Sequence, residues 1–120
     1  MIKRYPSHCG DATCASCVEA GGFIYLAHHA GGYAEQNVAY QMRKTFESMQ
    51  ETLEQAGSSL QEIIQVNLYL KNIQDLREAC DVFTEYFGEH PPARMTLTTD
   101  FFDERCLCMM DGVAYKEIEK

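Results

Sequence analysis

The sequence holds no run approaching the roughly 18 consecutive apolar residues that a membrane-spanning helix needs, so no membrane span is expected. Met1 to Pro6 lacks the apolar core of a signal peptide, which makes a cytoplasmic location the expectation. Positive charge is scarce: 10 lysines and arginines face 18 acidic residues, for a formal charge of -8 spread along the chain. A phosphate backbone is repelled by such a chain on average, so nucleic acid is not an expected partner. Internal repeats, linkers and low-complexity segments are also missing. With 46% hydrophobic and 23% charged residues, the composition is that of an ordered globular protein. The length of 120 residues suits one compact domain over 1–120. The six cysteines, without an export signal, are expected as thiols.

What is present divides by hydrophobic period. The aromatic and β-branched run Gly22-Phe23-Ile24-Tyr25-Leu26-Ala27 predicts a buried strand, leaving through His28, His29 and the turn pair Gly31-Gly32. From about Ala34 to Ala56, Val38, Met42, Phe46, Met49 and Leu53 recur at steps of three and four, which predicts an amphipathic helix ended by Gly57. Ile64, Val66, Leu68 and Leu70 then alternate with Gln65, Asn67, Tyr69 and Lys71, the period of a two-faced strand. A second helix is predicted over Asp75 to Gly88, with Leu76, Ala79, Cys80, Phe83 and Phe87 on its apolar side. Pro91-Pro92 prevents its continuation, and strands are expected over Met95 to Thr99 and Cys106 to Tyr115.

This order gives an α/β (α+β) fold, a mixed β-sheet with two helices packed on one face. Tyr25, Tyr69, Met95 and Met109 are expected on the other face. They are too apolar for water, which points to burial in an oligomer.

Three stretches carry a resemblance. Val18 to Ala27, Leu60 to Asp75 and the tripeptide Pro92-Ala93-Arg94 resemble, in order and spacing, the early strand, the central strand with its turn, and the Pro-Ala-Arg signature of the reactive-intermediate deaminase (Rid, formerly YjgF) family. The resemblance implies a chorismate-mutase-like protomer, a homotrimer, and a pocket at each subunit cleft. Its best-known members hydrolyse 2-imino or 2-enamino acids to 2-keto acids and ammonia without a cofactor.

Arg94 is the first candidate site residue, because a guanidinium offers a planar fork that fits a carboxylate with two parallel hydrogen bonds. The plainer alternative is a surface arginine paired with Asp100 or Glu104. Elsewhere the chain departs from the family. Met109 stands where active members carry a glutamate, and a thioether cannot transfer a proton. Cys14 stands at the family's N-terminal tyrosine, Cys80 at its helix asparagine, and Ala27-His28-His29 at its Ser-Gly-Gln. Arg94, Cys14, His28, Cys80 and Met109 are therefore the candidate substrate-binding residues, with no catalytic residue and no metal assigned.

Strand geometry lets at most one of His28 and His29 face the pocket, where imidazole could act as acid or base. Both could equally be polar residues at a strand end. The expected ligand is a small carboxylate-bearing metabolite, bulkier or less hydrophilic than iminopropanoate. Two rivals stand beside the deaminase: a non-catalytic binding or interaction member, and a thiol protein using Cys14-Ala15-Ser16-Cys17 for redox or metal, which could recruit His8, Cys9, His28 or His29. Cys106 and Cys108 read as small buried hydrophobes on one strand face.

Overall fold

A computed structural model describes residues 1–116; the last four residues of the expected domain, 117–120, lie outside it. The elements are β1 (Lys3–Arg4), β2 (Cys17–Ala20), β3 (Phe23–His29), α1 (Val38–Gln55), β4 (Ile63–Leu70), α2 (Leu76–Phe87), β5 (Ala93–Thr98) and β6 (Cys108–Tyr115), with 3-10 turns at Leu60–Glu62 and Ile73–Asp75. They form one six-stranded sheet in the order β1-β2-β3-β6-β4-β5. Neighbours are antiparallel except β4 and β5, which run parallel because α2 carries the chain back between them. The α+β class and mixed sheet are thus as expected. Among the described residues no helix is long and apolar enough to cross a membrane.

Both helices lie on one face. Val38, Met42, Phe46, Met49 and Leu53 of α1 are buried, as are Ala79, Val82, Phe83 and Phe87 of α2. They meet Ile24 and Leu26 of β3, Val66, Leu68 and Leu70 of β4, and Cys108, Met110 and Ala114 of β6. Gln41 is fully buried among these apolar groups, and its amide staples a loop. Its Nε2 donates to the carbonyls of Glu35 and Arg105 at 3.0 and 2.9 Å, and its Oε1 accepts from the Leu107 amide at 2.8 Å. Every polar atom it brings inside is satisfied, so burial carries little penalty.

Helix α1 begins at Val38 rather than Ala34, since the side chain of Asn37 accepts a hydrogen bond from the Tyr40 amide at 2.9 Å and sets the N-terminus there. Asn37→Ala is expected to cost about 1 kcal/mol of stability, read as a lower urea midpoint at unchanged slope. At the other end Gly57 has φ +82°, and the Gly57 and Ser58 amides donate to the carbonyls of Glu54 and Leu53. That pair of bonds closes the helix in a Schellman turn, which a left-handed residue makes possible.

Three sequence expectations are corrected. A bulge between Ile63 and Gln65 puts Ile63 inside and Ile64 outside, so the alternation of β4 holds only from Val66 onward. Cys80 is half-buried, and Val82 takes an inner position on α2 instead. Cys106 precedes β6 rather than belonging to it, although it is buried and its thiol donates to the Cys108 carbonyl. The strand Phe23–His29 is also open on one face, where Phe23 and Tyr25 are exposed.

Candidate functional site

The face of the sheet away from the helices carries a cavity of about 320 Å³, lined by His28, Tyr69, Leu97, Thr99, Asp100, Phe101, Phe102, Met109 and Asp111. Cross-strand register builds its floor. Asn67 on β4 is paired with Asp111 on β6, and Tyr69 with Met109, so the four side chains share one face. Asn67 Nδ2 donates to Asp111 Oδ1 at 2.7 Å, and the Tyr69 hydroxyl donates to Oδ2 at 2.9 Å. Burial, then the adjoining carboxylate, raises the Tyr69 phenol above its ordinary value, which keeps it a donor. One wall is the segment after β5, anchored where the Thr99 amide donates to the Leu70 carbonyl. Gln41 and Lys71 tie down its far end, through Arg105, Leu107 and Glu104.

His28 and Met109 are the only two candidate site residues that line this cavity. Arg94 lies on the opposite side of the sheet. It is paired with Val66, an inward position, and its guanidinium carbon sits 4.9 Å above the Phe83 ring of α2. Its Nε donates to Thr96 Oγ1 at 2.9 Å. Among the described residues the two terminal nitrogens carry no hydrogen bond, and Arg94 has no ion pair with Asp100 or Glu104. One edge of the fork is therefore held by the protein and the other faces outward, the arrangement a bidentate carboxylate requires.

Cys80, one turn from Phe83 on α2, lines a shallow groove with Leu76, Arg77 and Thr84. Cys14 lies in the loop before β2, beside Tyr5, Pro6 and Asp11. A single protomer thus brings His28 and Met109 together and leaves Arg94, Cys80 and Cys14 apart from them. The sequence reading missed the hydrogen-bonded trio of Asn67, Tyr69 and Asp111. Its one mark in the sequence was an acid, Asp111, in an otherwise apolar strand.

The two adjacent histidines separate as strand geometry demands. His29 is fully buried on the helix side. Nδ1 lies 2.8 Å from the Ala27 carbonyl and Nε2 lies 2.8 Å from Thr52 Oγ1. His8 stacks on its ring with centroids 3.8 Å apart. Of the dithiol pair, Cys17 opens β2 and is buried, and burial pushes its thiol up, against the low value a reactive thiolate needs. Among the described residues no group of three or more His, Cys, Asp or Glu side chains is placed to hold a metal.

A mixed sheet with two helices on one face and a small, mainly apolar cavity on the other is an α+β fold with room for a small molecule. The chain belongs to the Rid (YjgF) family. The family model described as Endoribonuclease L-PSP matches residues 11–115. A RutC family protein of Pyrococcus abyssi is 30% identical over 109 residues, covering 86% of each chain. A 2-iminobutanoate/2-iminopropanoate deaminase of Dermatophagoides farinae is 25% identical over 89 residues, covering 69% of this chain and 70% of that one. The solved structure of a YjgF-family member from Streptococcus pyogenes superimposes with a TM-score of 0.87 at 26% identity, covering 98% of both chains.

Proposed function

We propose that the protein forms a cytoplasmic homotrimer whose subunit clefts bind a small carboxylate-bearing metabolite through Arg94, and that its chemistry is hydrolysis of a 2-imino or 2-enamino acid or a related C–N bond. The observation that carries this reading is the half-engaged guanidinium of Arg94, fixed by Phe83 and Thr96 with its terminal nitrogens turned outward. The division of the candidate residues between the two sides of one protomer supports an assembled site, to which His28 and Met109 come from one copy and Arg94 from another. The open face supports assembly too, for Phe23, Tyr25 and Met95 are exposed there and Phe102 stands almost fully exposed beside them. The relative named as an iminobutanoate and iminopropanoate deaminase supports the reaction class.

In that reaction water adds to the imine carbon, the C–N π pair moves to nitrogen, and collapse of the carbinolamine gives a keto acid and ammonia. The guanidinium would hold the carboxylate while the carbon is attacked. A ribonuclease reading, which the description of the family model carries, is disfavoured by the overall charge of -8 and by a cavity lined by two carboxylates and, among the described residues, by no lysine or arginine.

The test is ammonia release from freshly generated 2-iminopropanoate and bulkier 2-imino acids. Arg94→Ala is expected to lower kcat/KM by about ten- to a hundredfold, the loss of a charge-assisted pair, at unchanged sedimentation as a trimer. The second reading, a member that binds without turnover, rests on Met109 at the glutamate position. It stands if wild type matches buffer while carboxylate binding still depends on Arg94.

A further inference from the structure

The cavity on the open face has a chemical bias of its own. Two carboxylates, Asp100 and Asp111, line it, and among the described residues no lysine or arginine does. Asp111 enters no ion pair among the described residues. Its two hydrogen-bond partners, Asn67 and Tyr69, are neutral donors. They fix the plane of the carboxylate without cancelling its charge, and each oxygen keeps acceptor capacity for one more donor. The remaining lining is His28 and Thr99 together with the apolar or aromatic Leu97, Phe101, Phe102 and Met109. A partly desolvated carboxylate at the foot of such walls attracts a donor of opposite charge, and aromatic faces add to the attraction for a cation.

We propose that this cavity is a subsite for a protonated nitrogen borne on an apolar side chain, with Asp111 as the counter-ion and Asn67 and Tyr69 as its positioning residues. The class of ligand is an alkyl- or arylalkyl-ammonium group. Identifying that nitrogen with the iminium end of a 2-imino acid rests on the function proposed above. In that case one ligand spans two complementary charges, its carboxylate on Arg94 of one copy and its nitrogen on Asp111 of another. Met109 then serves as wall rather than as acid, and the substrate side chain is apolar and bulky.

The charge preference is tested on the intact wild-type protein by calorimetric titration at pH 7.5 with 2-phenylethylammonium, 2-phenylethanol and phenylacetate. These probes share the aromatic group and differ in charge. The ammonium is expected to bind at least about tenfold more tightly than the alcohol, and phenylacetate, whose carboxylate Arg94 would take, reads that other site. Asp111→Asn, which keeps the shape of the side chain, is expected to erase that preference, with circular dichroism checking that the fold is retained. Loss of phenylacetate binding in Arg94→Ala reads the carboxylate site, while the ammonium-to-alcohol ratio in Asp111→Asn reads this one, so this inference and the deaminase reading fail separately. Equal binding of the ammonium and the alcohol to wild type, or an unaltered preference in folded Asp111→Asn, overturns the proposal.

Discussion

Replacing Phe46 by alanine is expected to remove about 4 kcal/mol of stability, the typical cost of deleting a large buried aromatic. Phe46 is fully buried on α1. It contacts three rings of α2: Phe83 edge-on at 5.3 Å, Tyr86 at 4.5 Å and Phe87 edge-on at 5.6 Å. The cavity left behind lies between two helices and a twisted sheet. The sheet is pinned by its hydrogen-bond ladder, so the helices alone can close the gap, and only in part. A urea titration should show the midpoint falling with little change in slope; a loss below about 1 kcal/mol would mean that α2 collapses onto the space. The damage also has a direction. Phe83 also carries the Arg94 guanidinium over its ring, so loosening the aromatic cluster should weaken carboxylate binding as well as the fold.

That cluster was legible in the sequence because helical period reports burial directly. The stripe Val38, Met42, Phe46, Met49, Leu53 is buried in full, and Gly57 ends the helix as its position suggested. Legibility stopped where one residue changes the phase. The bulge at Ile63–Gln65 exchanges Ile63 for Ile64 between inside and outside, and both are isoleucine, so composition carries no mark of it. The start of α1 went wrong for a related reason. Ala34, Glu35 and Gln36 are all compatible with a helix, and the boundary is set by one side-chain bond from Asn37.

The candidate site was legible in its parts and not in its arrangement. Arg94 could be singled out from the chemistry of its fork and from its place at the opening of a strand. That it faces the helices while His28 and Met109 face away follows only from register, Arg94 against Val66 and Met109 against Tyr69. Period within one strand cannot supply a relation between strands. The Asp111 trio was hidden in the same way, since Asn67 and Asp111 are 44 residues apart in sequence and meet only because β4 and β6 are neighbours.

His29 should make the protein acid-sensitive well above the range where most carboxylates titrate. The Ala27 carbonyl can only accept, so Nδ1 of His29 carries the proton and Nε2 is left to accept from the Thr52 hydroxyl. This neutral imidazole is satisfied at both ends, and protonation would reverse the bond to Thr52 and leave a charge inside the core. Burial, and then the neighbouring imidazoles of His8 and His28, outweigh the Ala27 hydrogen bond and hold it down to about 4 from an ordinary 6.5. His8, stacked 3.8 Å away, is lowered in the same direction, chiefly by burial. A base depressed in the folded state binds more protons when unfolded. Its contribution is therefore complete above pH 6.5 and is lost as pH falls toward about 4. Between pH 7 and pH 5 the loss from His29 alone should be about 2 kcal/mol. His29→Gln offers a donor and an acceptor without titrating. Its unfolding midpoint should fall much less over the same interval. If the variant keeps the wild-type slope, the acid sensitivity lies elsewhere and the buried imidazole is only a packing element. If the slope flattens, His29 is the group whose protonation drives the loss of stability in acid.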